Sequence, residues 1–136
     1  MKKKRRIAIG LLAVMLCICG CSVETTDGSK EQELEFTIVE EHEIPEELMT
    51  QIEAQKEMDF KLTYESDDIL YIVRGYGEQE TGGYSVAVTD LYESSNAVCV
   101  RTELIGPGEN ETVAKSPSFP YIVVCLPTQG KTVCFL

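Results

Sequence analysis

His42 is the only histidine in the sequence, and it sits among glutamates in His42-Glu43-Ile44-Pro45-Glu46-Glu47. A zinc helix of the His-Glu-x-x-His kind needs a second imidazole one helical turn on, so that both rings share a face. Here that place is taken by Glu46, and Pro45 interrupts the spacing. No glycine-framed serine or candidate nucleophilic cysteine lies near His42 in the chain, so a Ser-His-Asp or Cys-His site is not expected and His42 is read as exposed or locally satisfied. Thr81-Gly82-Gly83 lacks the lysine of a phosphate-binding loop. Asp67-Asp68 reads as a turn before it reads as a metal site, and no metal ligand set is assigned. The 23 acidic residues offer many carboxylate pairs for acid–base work, but no spacing selects two of them. Neither enzymatic activity nor a cofactor is expected.

The chemistry that the sequence does specify lies at the N-terminus. Lys2, Lys3, Lys4, Arg5 and Arg6 precede an apolar run over residues 7–16 broken by Gly10, the layout of an export signal. The run is shorter than the roughly 20 residues needed to span a bilayer as a helix. It ends in Ile18-Cys19-Gly20-Cys21, which resembles a lipobox: an aliphatic residue, a tolerant position, a small residue at the cut, then the cysteine that takes the lipid. Residues 1–20 are therefore expected to be a lipoprotein signal peptide, with Cys21 the lipidation site and Cys17 and Cys19 discarded with the leader. A diacylglyceryl group carries two acyl chains, and each buried methylene contributes about 0.8 kcal/mol to membrane binding. The expected location is extracytoplasmic, anchored by lipid alone to the bacterial cell membrane.

The chain has 12 Lys and Arg and a net charge of −11; removing the five basic residues of the leader leaves 7 against 23 acidic groups, or −16. Such a surface excludes nucleic acid, whose affinity comes from cations that neutralise phosphates. It also keeps the domain away from an anionic headgroup layer. Clustered carboxylates leave one alternative function open, the binding of a cation or small solute. The cysteines beyond Cys21 are Cys99, Cys125 and Cys134, an odd number with no Cys-x-x-Cys spacing. They are read as small buried hydrophobes, with a Cys125–Cys134 bridge across a final hairpin left open.

These features need elements to carry them. Residues 21–33 are polar without an apolar period and are expected to form a flexible tether; residues 34–136 form a single domain. Leu34, Phe36 and Ile38 alternate as in a half-buried strand. A helix should follow, with Pro45 in its first turn, Glu46 and Glu47 near its positive end, Ile44, Leu48 and Ile52 along one stripe, and Lys56 near its negative end. Phe60, Leu62 and Tyr64 alternate before the Ser66-Asp67-Asp68 turn. The run over residues 69–74 is apolar on both faces and should lie centrally in a sheet under the helix. Residues 75–83 read as a glycine-rich loop. Residues 84–92 and 97–104 form a hairpin, with Val98, Val100, Thr102 and Leu104 on one face. Residues 105–120 are a long connection whose prolines bar a central strand. Residues 121–126 and 132–136 close the domain as a hairpin. The expected fold is α+β: mainly antiparallel β, six or seven strands, with one N-terminal helix packed on the sheet.

Arg74-Gly75, Thr81-Gly82-Gly83-Tyr84-Ser85-Val86, an alternating hairpin, a proline-bearing connection, Pro120-Tyr121-Ile122-Val123-Val124 and Lys131-Thr132-Val133-Cys134-Phe135 together resemble the PrcB C-terminal domain family over about residues 70–135. The resemblance implies a non-catalytic exported accessory protein that binds and stabilises a partner, with a protease complex the expected partner class. Gly82 and Gly83 permit positive φ or close backbone approach, and Tyr84 covers apolar surface while its hydroxyl stays wet. The candidate partner-binding residues are Thr81, Gly82, Gly83 and Tyr84, with Pro120 and Tyr121 as a facing lip.

Overall fold

A computed structural model describes residues 31–136. The expected signal peptide, the lipidation site Cys21 and most of the tether lie outside the described residues. Eight strands form two four-stranded sheets. They are β1 (Gln32–Glu33), β2 (Thr37–Ile38), β3 (Asp59–Ser66), β4 (Ile69–Tyr76), β5 (Ser85–Glu93), β6 (Ala97–Ile105), β7 (Tyr121–Pro127) and β8 (Thr132–Phe135). One sheet runs β1-β5-β6-β8 and the other β2-β7-β4-β3. Helix α1 (Glu46–Gln55) follows a 3-10 turn at Glu41–Glu43. The domain is thus mainly β with one helix, as expected, but it is built from two sheets rather than one.

The two sheets face each other across a core of Leu70, Ile72, Val124 and Leu126 from one and Leu91, Val98 and Val100 from the other. A second core lies on the far side of β7 and β4, where Phe60, Val73 and Val123 meet Leu48 and Ile52 of α1. Strand β4 is sandwiched between these cores, which explains why its sequence is apolar on both faces. Leu48 and Ile52 are fully buried, and each contributes about 1.5–3 kcal/mol relative to exposure. Pro45 precedes the helix at φ −55°, and its carbonyl accepts from Met49 N–H. The Tyr64 hydroxyl donates to Glu47 Oε1 at 2.6 Å and ties the first turn of the helix to β3.

Five expectations are corrected. Gln32 and Glu33 are not tether: they pair with Glu93 and Tyr92 at the edge of β5, because Glu31 N–H and Leu34 N–H bond to Glu93 and Leu91 carbonyls. The alternating stretch 34–38 is not one strand. It crosses from one sheet to the other, so Leu34 and Phe36 reach the inter-sheet core while Ile38 is 57 % exposed. Gly75 belongs to β4, opposite Phe60. A Cβ on Gly75 would lie 2.1 Å from the Phe60 ring, so the glycine makes room for an aromatic cover. Residues 121–127 and 132–135 are not a hairpin: β7 lies in one sheet, and β8 joins the other beside β6, in parallel, with Cys99 opposite Cys134. This also disposes of the Cys125–Cys134 bridge. Cys125 shares the helix-side face of β7 with Val123, and Cys134 alternates with the core-facing Val133 and Phe135, so the two thiols stand on opposite outer faces.

A bulge between Val88 and Asp90 changes which residues of β5 point inward, from Val88 before it to Leu91 after it. Asp67 and Asp68 both take positive φ, 53° and 65°, in the two-residue β3–β4 turn. Among the described residues no helix is long and apolar enough to cross a membrane.

Candidate functional site

Strands β4 and β6 end, and β5 and β7 begin, at one end of the sandwich, where the loop 77–84 and the connection 106–120 lie together. The chain enters the domain at the other end, where Gln32 pairs with Glu93. Strand twist and alternating antiparallel direction, rather than any local motif, place these two features at opposite poles.

The connection is not a free loop. Gln79 and Ser118 exchange backbone hydrogen bonds of 2.8 and 3.1 Å, Gly82 N–H donates to the Ala114 carbonyl at 3.0 Å, and the Ser118 hydroxyl donates to the Thr81 carbonyl at 2.7 Å. Tyr76 N–H donates to the Pro120 carbonyl at 3.2 Å. Gly83 has φ +88°, and a Cβ there would lie 2.5 Å from Val113 Cγ1 and 3.0 Å from Pro107 Cβ. The ring of Tyr84 covers Gly106, where a Cβ would lie 3.2 Å away. The two glycines thus have the close approach expected of them, but the backbone that approaches is this chain's own connection. Thr81, Gly82, Gly83 and Tyr84 hold residues 106–118 against the end of the sandwich. What they leave exposed is the outer side of that connection, including Glu109, Glu111, Lys115 and Pro117, together with the half-exposed Ile105.

Arg74 plugs the same end from inside. Its guanidinium lies 4.1 Å from the Tyr76 ring centroid, donates to Asp59 Oδ1 at 3.0 Å and also bonds the Phe60 and Gly75 carbonyls. The Tyr76 hydroxyl and Thr102 hydroxyl are 2.6 Å apart and link the two sheets. The sequence expectation put Thr102 on the same face as Val98 and Val100, which the structure turns inward, and this contact accounts for a polar residue there.

Pro120 and Tyr121 follow Ser118, which bonds the glycine loop, and form part of a second feature. They line a shallow cleft of about 330 Å³ together with Phe119, with Ile122 and Val123 of β7, and with Ile38, Val39, Glu41 and Ile44 from the segment before the helix. Burial pushes the Tyr121 phenol pKa up, and Glu41 and Glu53 push it further in the same direction. Lys56 lies 5.5 Å from the Phe119 ring centroid and pairs with Glu53 at 3.0 Å. Ile38, Ile44, Phe119 and Glu41 escaped sequence reasoning because Ile38 and Ile44 carry the periodicity of core residues. The available signal was Phe119 itself, a large aromatic framed by Pro117 and Pro120 where no regular element can bury it.

His42 lies outside both features, exposed and 3.9 Å from Glu40. Among the described residues no group of three or more His, Cys, Asp or Glu side chains is placed to hold a metal ion.

Residues 70–127 match the model of the family described as PrcB C-terminal, from the first strand residues of β4 to the end of β7. The resemblance drawn from the sequence is shown for that span, which holds all six candidate residues and stops before β8. No curated protein and no solved structure matches the chain.

Proposed function

We propose, from the match of residues 70–127 to the PrcB C-terminal family, that this chain is a non-catalytic, membrane-anchored extracytoplasmic lipoprotein that binds and stabilises an exported partner in a protease complex. The family match carries the reading. Its physical support is the connection 106–120, a long proline-bearing segment that is fastened by backbone bonds yet presents one side outward. A loop held this firmly binds without a large ordering cost, which favours a recognition role over a flexible spacer. With lipid on Cys21, the tether would join the domain at the end of the sandwich where Gln32 pairs with Glu93, opposite the end that carries the connection.

Two measurements test this. The protein should incorporate radioactive palmitate and lose it on Cys21→Ser; an unlabelled cytosolic product would refute the anchoring. A photo-crosslinking side chain placed at exposed Lys115 should capture an exported protease-complex subunit whose abundance falls when this chain is deleted. If no exported protein is captured and none changes in level, the accessory role fails.

A further inference from the structure

The β7 edge of its sheet is only half covered. Strand β2 pairs with β7 at Cys125 and Val124, and the chain gives one more bond, Val39 N–H to the Val123 carbonyl at 2.8 Å, before it turns away at Glu41–Glu43. In an antiparallel ladder a residue's N–H and C=O point to one side, and the side alternates along the strand. Pro120 faces β4, since its carbonyl accepts from Tyr76, and Val123 faces β2. Tyr121 has the parity of Val123, so its N–H and C=O point to the edge just past where Val39 leaves, with no strand of the described residues beside them. Pro120 does not block this edge, because its nitrogen is on the β4 side.

The apolar cleft sits at the same place. Consecutive residues of β7 line it, Tyr121 and Val123 of the helix-side face and Ile122 of the inter-sheet face, as expected of a notch along a strand edge. Its rim carries more carboxylates than cations: Glu41 lines it and Glu40 and Glu43, close to Glu41 in the chain, are exposed, while Glu53 near Tyr121 is already paired with Lys56, which lies over Phe119. Unpaired strand groups beside an apolar notch select an extended backbone, and the carboxylates select its charge. A second copy of this chain would bring a net charge of −11 against the same rim.

We propose that an extended, lysine- or arginine-bearing segment of a partner polypeptide adds to the edge of β7 at Tyr121, its alternate apolar side chains filling the cleft between Ile38 and Phe119. This rests on the accessory reading and names the chemistry of what it grips.

The test uses the purified full chain and two blocked hexapeptides, one alternating lysine with valine and one alternating glutamate with valine. Anisotropy should detect the basic peptide and not the acidic one, and amide exchange should show the Tyr121 N–H protected by the basic peptide. Ile38→Lys, at an exposed position, should weaken binding at least about tenfold by adding a like charge. Leu136→Lys, also exposed but on the other sheet's side, should change nothing. Equal binding of both peptides, binding that survives Ile38→Lys, or binding without protection of Tyr121 would overturn the proposal. So would concentration-dependent dimerisation abolished by Ile38→Lys, which would assign the edge to a second copy. Crosslinking from Lys115 reads the connection rather than the cleft, so loss of peptide binding with crosslinking intact separates this failure from failure of the accessory role.

Discussion

Adjacent glycines at positions 82 and 83 should respond oppositely to the same methyl group. At Gly82 a new Cβ would meet Ala114 Cβ at 3.5 Å, an ordinary contact, and the backbone lies outside the positive-φ region. Gly82→Ala should therefore be neutral or stabilising by up to roughly 0.4–1 kcal/mol, since alanine restricts the unfolded chain. At Gly83 the backbone has φ +88°, which costs an L residue about 1–2 kcal/mol. The methyl would also stand 2.5 Å from Val113 Cγ1 and 3.0 Å from Pro107 Cβ. Overpacking of this kind costs about 1–3 kcal/mol, and the half-buried Val113 can give way, which favours the lower end. Gly83→Ala should lose about 2–4 kcal/mol in all, a Tm drop of roughly 10–25 °C for a domain of this size. Urea unfolding of the two variants measures the gap. Adding Val113→Ala removes the atom that clashes but not the backbone penalty, so the double variant should recover part of the loss and not all of it. Equal midpoints for Gly82→Ala and Gly83→Ala would refute the claim that these glycines serve the chain's own connection. Full recovery in the double variant would refute the backbone contribution.

Other outcomes follow from contacts elsewhere. Gly75→Ala should destabilise by about 1–3 kcal/mol, because the methyl falls within 2.1–2.8 Å of three Phe60 ring atoms; an unchanged thermal midpoint would mean that the ring is free to move aside. Asp68→Gly should stabilise by up to about 1 kcal/mol in denaturant titration, since φ 65° is strained for aspartate and free for glycine, and its carbonyl still accepts from Thr128. Burial raises the pKa values of Tyr71 and Tyr121 above 10.0. The unfolded chain then loses those protons first, so the contribution of these two phenols should be flat below pH 10 and fall as pH rises past it, with the thiol of Cys125, raised from 9.0, starting the decline earlier; denaturant midpoints that hold steady to pH 11 would count against the burial. Among the three described thiols, exposed Cys134 should react first with a thiol reagent and buried Cys99 last, with Cys125 slowed by burial that raises its pKa; mass mapping of partial labelling gives the order.

What the sequence made legible is what short-range periodicity encodes. The stripe of Leu48 and Ile52 found its face on the sheet, and β4, apolar on both sides, found its place between two cores. Periodicity states which way a side chain points relative to its neighbours, but not which strand lies alongside. Thr132-Val133-Cys134-Phe135 alternates identically whether it returns beside β7 or crosses to β6, and Gln129-Gly130 with φ +68° at the glycine resembles a hairpin turn either way. The decision is made by burial. Returning beside β7 would use the edge that β2 covers, whereas pairing with β6 puts Val133 and Phe135 over the inter-sheet core. Ile38 was misread for a related reason: alternation transmits parity only along a continuous strand, and the chain changes sheet between Glu33 and Thr37.

The candidate residues divide along the same line. That Gly82 and Gly83 needed close backbone approach could be read from residue type, but the identity of the approaching backbone is a long-range fact, set by Ala114 and Val113 some thirty residues on. The structure therefore inverts the use to be made of the family signature. Thr81, Gly82, Gly83, Tyr84, Arg74 and Gly75 are occupied in holding the connection and closing the end of the sandwich. Replacing Gly75, Gly83 or Arg74 would disturb any function of this domain through its stability, and so would not distinguish one function from another. The exposed side of residues 106–117 and the notch between Ile38 and Phe119 are where substitutions alter contact without removing support. If the proposed contacts exist, partner recognition should accordingly be sensitive to Ile38 and to crosslinkers at Lys115 under conditions where the unfolding midpoint does not move, a separation that substitution of Gly75 or Gly83 cannot achieve.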